Sequence, residues 1–124
     1  MKVITHIARV LLGLIFVVFG SNVFLHFIPM PPMTAGPASD FVMAMGKTHY
    51  FYVVTVCQVL GGLILLTGRY VPLGLTLLGP VIVNILCFHI FMKHEGIGMA
   101  ITVAVLALFL LWRYRSNFAG LLKP

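Results

Sequence analysis

Acidic side chains are almost absent from this chain of 124 residues, which has two of them against eight Lys and Arg and a net charge of +6. Both acids, Asp40 and Glu95, lie in predicted loops. The paired carboxylates that support general acid–base catalysis are therefore missing. Carboxylates that would orient histidine ligands around a metal are missing as well, and we expect no metal site.

Cysteine is also scarce. The two cysteines, Cys57 and Cys87, do not form a CxxC pair, which argues against a redox dithiol. Their similar predicted depth leaves a disulfide open, but we favour free thiols that pack as small apolar side chains.

Hydrophobic residues are abundant instead: they make up 61% of the chain, and the mean hydropathy is +1.14. A soluble fold of this size could not hide so much apolar surface. Four apolar stretches of about bilayer length predict transmembrane helices at roughly 3–28, 50–68, 71–92 and 97–115. We therefore predict an all-α integral membrane four-helix bundle that forms one domain over 1–124.

The basic residues predict how the bundle is oriented. Six of the eight lie at the two termini and in the second connection, namely Lys2, Arg9, Arg69, Arg113, Arg115 and Lys123. Because Lys and Arg are retained on the cytoplasmic side, both termini are expected in the cytoplasm. The lipid bilayer accounts for the positive charge, so no nucleic-acid partner is expected.

The connections between helices differ in character. Prolines at 29, 31, 32 and 37 predict a non-helical first outer loop, followed by a short interfacial helix, FVMAMG, capped by Ser39 or Asp40. The second connection, around Arg69, is a few residues long. It predicts a tight hairpin that makes its two helices antiparallel neighbours.

Five polar residues fall in the outer half of the predicted bundle. Because amides and imidazoles are costly in hydrocarbon unless paired, we expect them to point inward and toward one another. Asn84 and His89 are five residues apart, so both cannot face the same point. The candidate ligand-binding residues are Asn22, His26, Gln58, Asn84 and His89.

Two other interpretations of these residues stay open. The amides can serve only as hydrogen-bonding contacts between helices. His26 and His89 can be considered as axial haem ligands, or together with His49 as metal ligands, but no spacing motif supports either site.

Three segments carry a resemblance to a known family: RVLLGLIFVVFGSNVFLHFIPMPP, QVLGGLILLTGRYVPLGL and GPVIVNILCFH. Together they resemble the DoxX family of small four-helix bacterial membrane proteins, some of which are associated with quinone-linked oxidoreductases or oxidative-stress protection. The resemblance implies a multi-pass protein of the bacterial cytoplasmic (inner) membrane, with the same five polar residues facing a pocket. Where the family pattern has an acid before the paired glycines, this chain has Gln58, and an amide cannot shuttle protons.

Three functional hypotheses follow. The first is an accessory subunit of a quinone-linked redox or oxidative-stress system, which binds quinone non-covalently while a partner protein supplies the redox centre. The second is a non-catalytic membrane protein that binds a small lipophilic ligand or assists a membrane partner. The third is a purely structural subunit. We favour the first, with the chain as at most a non-autonomous part of an enzyme.

Overall fold

The computed structural model describes residues 2–27 and 33–122, and this part of the chain is helical with no strand. Short stretches of turn separate the helices. The elements in chain order are α1 (Lys2–Leu25), α2 (Pro37–Lys47), α3 (Tyr50–Thr67), α4 (Val71–Phe91), α5 (Ile97–Arg113) and a 3₁₀ helix, η1 (Arg115–Leu122).

Three of these helices, α1, α3 and α4, are long and apolar enough to cross a membrane. A fourth crossing is counted if α5 is taken together with η1, which bends away from it by 79°. Large apolar side chains cover the outside of the bundle, including Phe91 at 79% and Leu108 at 65% exposure. The chain is thus a multi-pass helical membrane protein, as predicted at this level.

Two helices end two or three residues before the approximate boundaries that were predicted. The first helix ends at Leu25 rather than near 28, because His26 adopts a left-handed backbone conformation with φ of 53°. The last long helix ends at Arg113 rather than 115, and the chain turns at Tyr114 into η1.

The predicted short helix after α1 is present as α2, but its cap is not the predicted one. Gly36 is the N-cap residue and makes no side-chain cap, and Pro37 takes the first helical position. Proline suits that position because the N–H it lacks would have no partner within the helix. The predicted proline loop at 29–32 lies outside the described residues, and an interfacial position for α2 stays a prediction.

The tight hairpin between α3 and α4 is confirmed. Gly68 ends α3 with φ of 75°, its N–H donating to the Leu65 carbonyl at 3.3 Å, and Tyr70 starts α4 with φ of 57°. Left-handed residues on both sides of Arg69 reverse the chain within three residues. The two helices consequently pack side by side and antiparallel.

Glycines bring neighbouring helices into backbone contact. A Cβ built at Gly62 would lie 2.8 Å from the Gly13 carbonyl oxygen, and one at Gly13 would lie 2.8 Å from that of Gly62. A Cβ built at Gly61 would lie 2.7 Å from Leu78 of α4. Close approach of this kind is the main source of helix association in lipid, where the hydrophobic effect does not act between helices.

Each long helix contributes one fully buried leucine to the hydrophobic core: Leu12, Leu65, Leu78 and Leu110. These side chains pack α1, α3, α4 and α5 against one another.

Gly62→Ala is expected to lower the free energy of unfolding by about 1–3 kcal/mol, because the new methyl group forces α1 and α3 apart. The matched control is Gly79→Ala in α4, where a Cβ meets nothing within 4 Å. The control should be neutral or more stable by about 0.5–1 kcal/mol, since alanine favours helix. Thermal melts in one detergent compare the two, and equal melting temperatures would contradict the proposed backbone contact.

Candidate functional site

The first two predicted site residues lie at the end of α1 and differ in burial. Asn22 is 6% exposed, whereas His26 is exposed beyond the end of the helix. The His26 amide donates to the Asn22 carbonyl at 2.9 Å, which continues the helical pattern for one residue. Only Asn22 therefore presents its side chain to the interior.

Gln58 is half-buried and faces α1. A Cβ built at Gly20 would lie 3.5 Å from the Gln58 side-chain oxygen and 2.9 Å from Val59 Cγ2. Glycine at position 20 thus makes room for these two side chains of α3. The Gln58 amide lies against the backbone of α1, within the outer half of the predicted bundle.

Asn84 is exposed, so the inward orientation expected for it is not observed. Its Nδ2 donates to the Pro80 carbonyl at 2.9 Å, one turn earlier in α4. A side chain that bonds its own helix is satisfied without a neighbour. The position of Asn84 is explained by local hydrogen bonding.

His89 is half-buried and holds the connection between α4 and α5. Its Nδ1 lies 3.1 Å from the Lys93 carbonyl oxygen and 2.9 Å from that of Glu95, so the protonated Nδ1 donates to both. Its ring also lies against Gly96, whose φ is 80°; a Cβ built there would be 3.2 Å from the ring. The hydrogen bonds of the His89 ring therefore stabilise the turn between α4 and α5.

The five predicted residues thus do not meet in one cavity. Asn22 and Gln58 lie inside or between helices, His89 is engaged by a turn, and His26 and Asn84 are exposed. Their role in ligand binding stays a prediction. Within residues 2–27 and 33–122, no three His, Cys, Asp or Glu side chains are grouped to hold a metal. Cys57 and Cys87 are free thiols, the first half-buried and the second exposed.

An apolar groove of about 360 Å³ runs between α1 and α3, in the half of the bundle that contains Asn22 and Gln58. Beside it the rings of Phe24 and Tyr52 stack with centroids 5.0 Å apart. This volume is within the range of small-molecule sites. The groove is lined by Ser21, Phe24, Leu25, Val56, Val59 and Leu60.

Thr55 does not line this groove but precedes Val56, which does, and it is the one buried side chain in the described part of the chain with an unsatisfied polar atom. It is fully buried, and its hydroxyl has no hydrogen-bond partner. Val59, which lines the groove, is one turn further along α3 and shares its face. The signal in the sequence is a lone threonine in YFYVVTVCQVL, which composition alone does not separate from a packing residue.

Arg9, one of the basic residues that predicted the orientation of the bundle, is only 9% exposed and forms hydrogen bonds between helices. Its Nη1 donates to the Leu65 carbonyl and, at 3.1 Å, to the Leu66 carbonyl at the end of α3. Its Nη2 lies 3.3 Å from His6 Nδ1. A single arginine two turns inside an apolar stretch was the available signal for this role.

Comparison with models of known protein families, with curated proteins and with solved structures finds no match to this chain. The resemblance to the DoxX family gains no support from them and rests on the residues quoted above.

His89→Phe and Asn84→Leu should affect stability differently. The first removes the donor that serves two carbonyls and should cost about 1 kcal/mol or more. The second replaces an exposed, self-bonded amide and should change stability by no more than about 0.5 kcal/mol. Urea or thermal unfolding in detergent measures both. A larger loss for Asn84→Leu than for His89→Phe would show that Asn84 has a partner outside its own helix.

Proposed function

We propose that this chain is a DoxX-like inner-membrane protein that binds a small lipophilic molecule of the quinone class in the groove between α1 and α3. In this proposal it acts as a non-catalytic accessory subunit of a redox or oxidative-stress system, and a partner protein carries out the electron transfer. The multi-pass helical fold is compatible with this role.

The observation that carries the proposal is the unsatisfied hydroxyl of Thr55. An unpaired hydroxyl in an apolar interior costs about 1–3 kcal/mol. A ligand with a carbonyl oxygen would remove that cost by accepting a hydrogen bond from it. A quinone ring has such carbonyls on an otherwise apolar, flat body, and it would reach Thr55 by displacing the side chain of Val59.

The walls of the groove suit such a ring. They are almost entirely apolar, and the stacked pair Phe24–Tyr52 offers aromatic faces next to it. The groove lies between two helices whose other faces carry exposed apolar side chains such as Val53, so a lipid-soluble molecule would enter from the bilayer.

Gln58 supports an accessory role rather than a catalytic one. It lies on the same interface as the groove, close to Gly20, and can donate or accept a hydrogen bond. It cannot take up the protons that quinone reduction requires. Proton and electron transfer are therefore assigned to the partner.

Thr55→Val tests the site, because valine has nearly the shape of threonine and lacks the hydroxyl. Without ligand the variant should be as stable as the native protein or more stable, since the unsatisfied group is gone. With a short-chain ubiquinone or menaquinone, the native protein should melt at a higher temperature in a saturable way, and the variant should lose most of that shift. The measurement is a thermal-shift titration in detergent, with a redox-inert hydrophobe of equal size as reference.

The groove itself has a matched pair of variants. Leu60→Trp fills it, whereas Leu108→Trp places the same ring on an exposed face of α5 outside it. The stabilisation of the protein by quinone should disappear in Leu60→Trp and remain in Leu108→Trp. Equal stabilisation by the inert hydrophobe would indicate a general lipophile site, and no stabilisation by any ligand would leave a structural role.

The proposed orientation places both termini in the cytoplasm and α2 outside. A reporter enzyme that is active only outside the cytoplasm should be inactive when fused after Pro124 and active when inserted after Lys47. The opposite pattern in bacterial cells would reverse the topology.

A further inference from the structure

Within residues 2–27 and 33–122, one end of the bundle carries five cationic residues and no acidic side chain. This basic cluster lies where α1 begins and where α3 and α5 end. Both acids of the chain are at the other end, Asp40 in the first turn of α2 and Glu95 between α4 and α5. The cluster consists of Lys2, Arg9, Arg69, Arg113 and Arg115.

Arg9 is the buried member of the cluster, and its guanidinium forms hydrogen bonds within the protein. Its guanidinium donates to the carbonyls of Leu65 and Leu66, at the negative end of the α3 dipole. It is 9% exposed and is not available to an external anion.

Arg113 and Arg115 are arranged differently, around the ring of Trp112. Their guanidinium carbons lie 5.8 and 5.0 Å from the ring centroid. Arg113 Nε donates to Thr5 Oγ1 at 3.0 Å, and Arg115 Nη1 donates to the Trp112 carbonyl at 2.7 Å. These two contacts fix both guanidinium groups in place.

Most of their donors remain open. A guanidinium has five N–H groups, and within residues 2–27 and 33–122 neither arginine forms an ion pair or a second side-chain hydrogen bond. Arg115 is exposed and Arg113 half-buried. Two positioned, unneutralised guanidinium groups next to each other favour an oxyanion with several oxygens, such as a phosphate.

The backbone keeps these groups at one end of the bundle. The chain bends by 79° between α5 and η1, so η1 crosses the end of the bundle instead of continuing outward. Tyr114 and Phe118 pack against the core and hold η1 there. Tryptophan next to arginine at a helix end is typical of the membrane–water boundary.

We propose that Arg113 and Arg115, set around Trp112 at the corner between α5 and η1, bind the phosphate of an anionic phospholipid. The lack of acids at this end also determines selectivity. A lipid such as phosphatidylcholine brings an ammonium group for which the cluster has no carboxylate, whereas phosphatidylglycerol brings a phosphate alone. The site is therefore selective for anionic over zwitterionic lipid.

The test compares three ligands on the full chain in detergent: phosphatidylglycerol, phosphatidylcholine with the same acyl chains, and inorganic phosphate at equal ionic strength. Binding is followed by native mass spectrometry and by thermal shift. Native protein should prefer phosphatidylglycerol over phosphatidylcholine by about 10- to 30-fold, from two cations at the membrane surface. The double variant Arg113→Gln/Arg115→Gln should bring the two lipids to near parity.

The matched control is Lys47→Gln/Lys93→Gln, which removes the same charge at the opposite end and should keep the preference. If the double arginine variant does not fold, Arg115→Gln alone is used, because Arg115 is exposed; it should lose about 3- to 5-fold of the preference. The proposal is overturned if native protein shows no preference, or if the lysine control loses as much. Equal stabilisation by inorganic phosphate would also overturn it, since the site would then bind a free anion.

Discussion

The packing of α1 against α3 depends on a buried cation, Arg9, which is stabilised by hydrogen bonds to backbone carbonyls because no carboxylate is near it. Arg9 lies two turns into α1, and the chain has no acid at that end to pair with it. Its partners are instead the carbonyls of Leu65 and Leu66 in the last turn of α3, where the Leu65 carbonyl also accepts the Gly68 N–H. This contact fixes α1 against α3 in both height and rotation. It also needs Gly68, since a Cβ there would lie 3.2 Å from the guanidinium.

The contact of Arg9 with α3 determines how the apolar parts of α1 and α3 pack against each other. With α1 and α3 held at one end, Gly13 and Gly62 come into register and their backbones touch. Further along the same interface, Gly20 admits the larger side chains Gln58 and Val59, and the two helices leave room between them for the groove. Backbone contact at one level and side-chain packing at the next explain why the groove lies in the half that is remote from Arg9.

The sequence was sufficient for the features set by length, hydropathy and backbone chemistry. The apolar stretches predicted the long helices, and the short connection around Arg69 predicted the tight hairpin, because these signals are local. Side-chain orientation was not predictable in the same way. Asn84 bonds the Pro80 carbonyl of its own helix, and His89 bonds its own turn, and both choices depend on rotamers and on a loop conformation. The sequence also could not predict that the Thr55 hydroxyl has no hydrogen-bond partner, because this depends on how the neighbouring helices pack.

The shortage of acids also distinguishes the two ends of the molecule, since both acids, Asp40 and Glu95, lie at the end opposite the basic cluster. At one end Arg113 and Arg115 surround Trp112 without a carboxylate, which in our proposal leaves them for lipid phosphates, and η1 turns across that end. At the other end the groove is apolar, and the hydroxyls of Ser21 in its wall and of Thr55 close to it are uncharged. Because the basic cluster and the groove share no side chain, the two proposed functions, phospholipid binding at one end and binding of a neutral, lipid-soluble ligand at the other, are independent of each other.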